Sequence, residues 1–142
     1  MSAGLRARLT TGVGVMAGVV ALAIASAAPA SAATYFWADT TNRAAHANLY
    51  YQYDSPNNGY YHITVDTVSV NDSSYGDGWG GRLYMHYTSR TGTHTETLAT
   101  APDEGFDGPA DFERTGYKDV WFELCNHSDS TGQIASCARL HK

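Results

Sequence analysis

The chain has 142 residues, with 9 lysine or arginine residues against 14 aspartate or glutamate residues, and its formal net charge is −5 at pH 7. A chain of this sign without a lysine or arginine cluster is repelled by phosphate groups, so we expect neither a nucleic-acid partner nor binding to an anionic membrane. The length is that of one domain with a modest hydrophobic core.

The first 32 residues have the layout of a secretory signal peptide. Arg6 and Arg8 form a positive head, an uncharged apolar run spans 13–25, and the small residues Ala-Pro-Ala-Ser-Ala occupy 28–32. Signal peptides have these parts in this order, and the apolar run is shorter than the ~20 residues of a membrane-spanning helix. We therefore expect export with cleavage after Ala32, and no membrane span in the rest of the chain.

The chain contains two cysteines, Cys125 and Cys137, and both follow the predicted cleavage site. In an oxidising extracellular setting such a pair forms a disulfide, which stabilises the fold by about 3 kcal/mol in the chain-entropy view. A metal site is the alternative because His127 is close in sequence, but the segment lacks a fourth strong ligand. We expect a disulfide and no metal.

The chain after residue 33 reads as short β-strands and turns, with no convincing helix. Residues 45–53 alternate, with Ala45 and Leu49 on one face and Asn48 and Tyr50 on the other, which is typical of a half-buried strand. The later segments, in chain order, are a turn at 54–59, a strand at 60–70, a glycine-rich loop at 71–81, a strand at 82–89, a turn at 90–92, an edge strand at 93–100, an acidic surface loop at 101–113, a core strand at 117–126 and a last strand at 133–140.

The strand at 60–70 changes its apolar phase partway along. Ile63 and Val65 share one face, whereas Val68 and Val70 fall on the opposite face of a regular strand. One extra residue near 66–67 restores a single buried face, which is the effect of a β-bulge. Burial of this strand on both sides is the alternative.

These segments together predict an all-β fold. Short strands at close spacing favour an antiparallel β-sandwich of about the size of an immunoglobulin domain, with a C-terminal hairpin clipped by the disulfide; a small β-barrel is the alternative. The predicted organisation is a signal peptide at 1–32, an N-terminal aromatic arm at 33–43 and a β-sandwich domain at 44–142.

Aromatic residues are the main candidates for binding. Tyr35, Phe36 and Trp37 lie almost at the predicted new chain end, where exposed residues are usually polar. They either add a first strand to their own sheet or bind the exposed edge or groove of a partner protein. Tyr75 and Trp79, on the glycine-rich loop, are the predicted second contact.

Acidic residues cluster between 103 and 113, and this cluster raises the question of calcium. Oxygen ligands on a loop suit calcium, but the spacing does not match an EF-hand, so we expect no cofactor and keep calcium as the alternative. The acidic residues of this segment are Asp103, Glu104, Asp107, Asp111 and Glu113.

Catalysis has little support in the sequence. The 6 histidines are spread along the chain, and neither a Gly-x-Ser-x-Gly nor a His-Glu-x-x-His motif occurs. We therefore predict a non-enzymatic protein that binds another secreted protein, as an adaptor or subunit of an extracellular assembly. A carbohydrate-binding module with a platform of Tyr75, Trp79 and Tyr84 is one alternative. A protease inhibitor that presents the loop 71–81 is the other.

The ending Trp121-Phe122-Glu123-Leu124-Cys125, the later Cys137 and the tyrosine-, threonine- and glycine-rich body form a recognisable style. In this style the chain resembles small secreted β-sandwich proteins of actinomycetes. The resemblance covers the whole chain after the signal peptide and implies a secreted β-sandwich. It includes protease inhibitors, adaptors of toxin assemblies and spore-surface proteins, and it transfers no site residues.

Overall fold

The computed structural model describes residues 32–42, 44–54, 56 and 58–142, and the predicted signal peptide up to residue 31 lies outside this part. The described part is all-β and contains no helix. Its strands are β1 (Thr34–Asp39), β2 (Ala45–Tyr53), β3 (Tyr61–Asp72), β4 (Trp79–Ser89), β5 (Gly92–Ala101), β6 (Phe106–Asp107), β7 (Phe112–Ser128) and β8 (Ile134–Arg139).

All strands join one antiparallel sheet, in the order β1-β2-β3-β7-β4-β5, with β6 on β3 and β8 on β7. The long strand β7 belongs to two halves of this sheet: residues 112–117 pair with β3, and residues 118–128 pair with β4. Gly116 and Asp119 at the junction have positive φ angles of 90° and 53°. These two left-handed residues bend β7, so that the half holding β1–β3 (the first half) folds over the half holding β4, β5 and β8 (the second half).

The two halves enclose one core, which confirms the predicted sandwich. Alternating side chains of β2, β3, β4 and β7 supply most of it, including Leu49, Val65, Leu83, Met85 and Leu124, each 0 % exposed. Burial of one face of each half is the main stabilising contribution in such a fold. The sheet is open, and β5 is its last strand, as the threonine-rich sequence predicted.

The predicted β-bulge is confirmed. Asn48 pairs with Ser69 and Tyr50 pairs with Asp66, so a single residue of β2 faces two residues of β3. Thr67 takes a φ of 51°, which is unusual for a β-branched residue, and its N–H donates to Asp111 Oδ1 at 2.7 Å. The extra residue brings Ile63, Val65, Val68 and Val70 to the same buried face.

The glycine-rich segment differs from the prediction, because β3 runs on to Asp72 and β4 already begins at Trp79. Gly80 and Gly81 serve close packing and not flexibility. A Cβ on Gly81 would lie 2.7 Å from Val70 Cγ1 of the facing half, and one on Gly80 would collide with the carbonyl of Ala101. The predicted loop 101–113 is likewise interrupted, by β6 and by the start of β7.

The disulfide between Cys125 and Cys137 is present, as predicted, and it joins β7 to β8. Cys125 is buried, whereas Cys137 is exposed. A disulfide in a small domain fits an extracellular location. In the described part of the chain there is no helix of the length and apolarity that a membrane span requires.

Candidate functional site

The predicted aromatic arm is part of the protein's own sheet, the first of the two alternatives. Along its whole length β1 pairs with β2, and its residues alternate between the two faces. The ring of Phe36 points into the core, 6.2 Å from the ring of Tyr51 and 6.3 Å from that of Phe122, measured between centroids. Tyr35 and Trp37 therefore lie on the outer face, where a partner could reach them.

A pair of exposed tyrosines marks this outer face. Tyr35 of β1 and Tyr50 of β2 are cross-strand partners with ring centroids 5.2 Å apart, and they remain 42 % and 41 % exposed. Trp37 continues the row beside Asn48. We call Tyr35, Trp37, Asn48 and Tyr50 the tyrosine face. Sequence reasoning missed Tyr50, because only the register with β1 shows that its ring adjoins that of Tyr35.

The C-terminus fastens the free edge of β1 at Trp37. The N–H of Trp37 donates to the carbonyl of His141 at 2.9 Å, and the N–H of His141 donates back at 3.0 Å. The indole and imidazole centroids are 4.2 Å apart. The position of Trp37 is therefore set by both chain neighbours in the sheet, which keeps the tyrosine face in one arrangement before any partner binds.

An acidic cavity adjoins the tyrosine face. Its volume is about 390 Å³, and its walls include the carboxylates of Asp66, Asp111 and Glu113. Asp66 is the register partner of Tyr50, so the cavity and the tyrosine pair share one face. Asp111 is engaged with the bulge, and Glu113 Oε2 lies 3.6 Å from His62 Nε2. The remaining negative potential favours a basic group on whatever binds here.

The second predicted contact lies at the other end of the sandwich. Tyr75 is 72 % exposed, and Trp79 is half-buried at the start of β4. The level of Tyr50 on β3 is Asp66, six positions before Asp72, where this loop begins, so the two clusters are about 20 Å apart at a rise of 3.3 Å per residue. The structure therefore does not bring the two predicted contacts into one site.

Carboxylates hold the loop of Tyr75 in place. Asp103 accepts the N–H of Gly76 at 3.0 Å through Oδ1 and that of Gly78 at 2.9 Å through Oδ2. The N–H of Asp103 in turn donates to Asp129 Oδ2 at 2.8 Å. The acidic residues of these loops thus serve as acceptors for backbone donors, a structural role that requires no calcium. Calcium binding stays an untested alternative.

The predicted carbohydrate platform is not assembled. The register of β4 with β7 is continuous from Trp79 to Tyr84, and residues five apart on a regular strand point to opposite faces. Tyr84 lies instead on the outer face of the second half, near His86, with ring centroids 6.3 Å apart. A flat sugar-binding surface made of Tyr75, Trp79 and Tyr84 is therefore a wrong prediction.

The outer face of the second half carries a stack of side chains from three strands. The imidazole of His86 lies parallel to the indole of Trp121, with centroids 3.7 Å apart, and the guanidinium of Arg139 lies 4.9 Å from the same indole. His86 and Arg139 come from β4 and β8, on opposite sides of β7, so Trp121 is held between them. His86 Nε2 lies 3.4 Å from Glu123 Oε2. This stack engages Trp121 within the domain.

A serine and a histidine approach each other at the β4–β5 turn. Ser89 Oγ lies 2.9 Å from His94 Nε2, and Thr91 Oγ1 lies 3.0 Å from the same nitrogen. Both hydroxyls compete for one nitrogen, and among the described residues no carboxylate orients the ring from its other side. The three side chains therefore fasten the turn and do not form a catalytic triad, in which the base is oriented by a third group.

Two tyrosines have strongly raised pKa values. Burial is the main cause for Tyr51, whose pKa is raised to about 12. For Tyr87 the main cause is the hydrogen bond with Tyr117, which raises the pKa of Tyr87 to about 12. The rings of Tyr87 and Tyr117 are stacked, with centroids 4.0 Å apart. Both tyrosines belong to the packed interior between the halves, and their hydroxyls remain neutral across the physiological range.

The chain matches none of the protein-family models, and neither the curated proteins nor the solved structures contain a significant match to it.

Proposed function

We propose that this chain is a secreted, non-catalytic protein-interaction module that binds another secreted protein through the tyrosine face. The observation that carries the proposal is the exposed pair of Tyr35 and Tyr50 on neighbouring strands. Tyrosine rings give a large contact area with little loss of side-chain entropy, and they are enriched in protein interfaces.

The surroundings of the tyrosine pair support a protein partner with a basic rim. Trp37 is fixed by His141, so binding would not have to order it. The acidic cavity beside Tyr50 offers carboxylates to lysine or arginine side chains. The partner would therefore bury the two tyrosines at the centre of the interface and pair its basic residues with Asp66 and its neighbours.

Export supports a partner outside the cell. The predicted signal peptide and the Cys125–Cys137 disulfide are consistent with an oxidising destination. The chain would then act as an adaptor or subunit of an extracellular assembly, without a cofactor.

A comparative pull-down tests this function. The purified protein is immobilised and exposed to culture fluid of the host, alongside a Tyr35→Ser/Tyr50→Ser double variant and a Tyr75→Ser control. We expect one protein to be recovered by the unaltered chain and by the control, and to be lost with the double variant. Recovery that survives the double substitution, or no recovery at all, would contradict the proposal. Urea unfolding of each variant verifies that it is folded.

A further inference from the structure

A groove lies at the end of the sandwich where β7 bends. Three segments meet there: the start of β3, the β4–β5 turn and residues 115–118 of β7. A cavity of about 360 Å³ and another of about 400 Å³ both have walls formed by Arg90, Thr115 and Gly116, so they are parts of one groove. We call it the bend groove. It is separate from the tyrosine face and from the acidic cavity.

Two cations stand at the bend groove without an acidic partner. Arg90 Cζ is 5.7 Å and Lys118 Nζ is 5.3 Å from the centroid of the Tyr60 ring. Within the described part of the chain neither has a carboxylate at ion-pair distance, whereas Arg114 has Glu96 at 3.9 Å. In a protein with a net charge of −5, two unpaired cations gathered over one ring beside a cavity indicate a site for an anion.

The larger part of the groove is free of acidic residues. Its walls are Arg90, Tyr117, Gly116 and the hydroxyl-bearing Ser89, Thr91 and Thr115. Gly116 is skipped in the pairing of β7 with β3, since Tyr61 pairs with Tyr117 and His62 with Thr115. A guanidinium, a backbone segment outside the ladder and several hydroxyls are groups that hold a carboxylate or sulfate.

The other part of the groove has a different character. Its walls are Tyr60, Tyr61, His62 and a single carboxylate, that of Asp54. This carboxylate would repel an acidic peptide, but it can accept hydrogen bonds from the hydroxyl groups of a sugar. A cation for a negative group, a carboxylate for hydroxyls and aromatic walls for a ring are together the complement of one ligand class, an anionic sugar.

We propose that the bend groove binds a sugar unit that carries a carboxylate or sulfate group, as found in acidic polysaccharides. The negative group contacts Arg90 and Lys118, and the hydroxyls of the sugar face Asp54. Because the rest of the protein is acidic, the attraction is local, and added salt weakens it. This site goes beyond the proposed protein interaction and does not depend on the tyrosine face.

Calorimetric titration of the purified protein at low salt tests the proposal. The probes are tetragalacturonate, a sulfated galactose oligosaccharide of the same length, a neutral galactose tetramer and tetraglutamate. We expect binding of at least one anionic sugar and none of the neutral sugar or of tetraglutamate. Whichever anionic sugar binds identifies the negative group as carboxylate or sulfate.

Variants locate the binding. Arg90→Gln and Lys118→Gln should each weaken the affinity for the bound sugar at least tenfold. Arg139→Gln, which removes an equal charge from the stack on Trp121, should leave it unchanged. The proposal is overturned if neither anionic sugar binds, if tetraglutamate binds as tightly as the sugar, or if binding is insensitive to both groove substitutions. Arg90 is exposed at a hairpin turn, so its variant should fold.

Discussion

Two adjacent residues of β1 should differ sharply in their effect on stability. Phe36→Ala removes a ring that packs between Tyr51 and Phe122, whereas Tyr35→Ala removes a ring that is 42 % exposed. A buried phenylalanine costs about 3–5 kcal/mol on truncation to alanine, and Phe36 is only partly buried, so we expect about 2–3 kcal/mol. For Tyr35 the main loss is the contact with Tyr50, about 0.5–1 kcal/mol.

Equilibrium unfolding in urea, followed by tryptophan fluorescence, measures both values. Leu49→Ala, at a residue 0 % exposed on the adjoining strand, provides the reference for a core truncation, at about 2–5 kcal/mol. The slope of the unfolding free energy against urea should stay unchanged in all variants. Equal losses for Phe36→Ala and Tyr35→Ala would show that β1 does not pack into the core by alternate residues, and the assignment of the tyrosine face would fail.

Three further outcomes follow from the structure. Replacing Cys125 and Cys137 together by serine should lower the free energy of unfolding by about 3 kcal/mol, and a reductant should then have no further effect in urea unfolding. Because the pKa of Tyr51 is raised from 10.0 to about 12, its stabilising contribution is complete below pH 10 and is lost as the pH rises through 12. Tyr51→Phe should therefore lose less stability over this range than the unaltered protein, as read from unfolding free energies at each pH. The intact mass of the exported protein should correspond to a chain that begins at Ala33; a mass that retains the leader would contradict the predicted cleavage.

Local alternation made much of the fold predictable. The strand at 45–53 was placed at its observed bounds, because an apolar residue at every second position has one stable orientation against a core. The bulge in β3 was predictable for the same reason, since only an extra residue reconciles Ile63 and Val65 with Val68 and Val70. The disulfide followed from the cysteine count and the expected compartment.

Contacts between distant segments could not be predicted. Gly80 and Gly81 looked like loop residues, and only the facing half of the sandwich shows that they leave room for Val70 and Ala101. Tyr50 stood on a largely polar face, and its importance depends on its register with β1.

The bend groove combines residues from three parts of the chain and has no signature in any one of them. The sugar platform was wrong because it grouped residues by closeness in sequence, whereas a strand sends residues five apart to opposite faces.

Photo-crosslinking tests the central claim most directly. A photoreactive phenylalanine analogue is placed at Tyr35 in one protein and at Tyr75, the exposed tyrosine at the far end, in another, and each is irradiated in culture fluid of the host. The tyrosine face predicts a crosslinked partner from position 35 and none from position 75. A crosslink from position 75 alone, or from neither position, would contradict it.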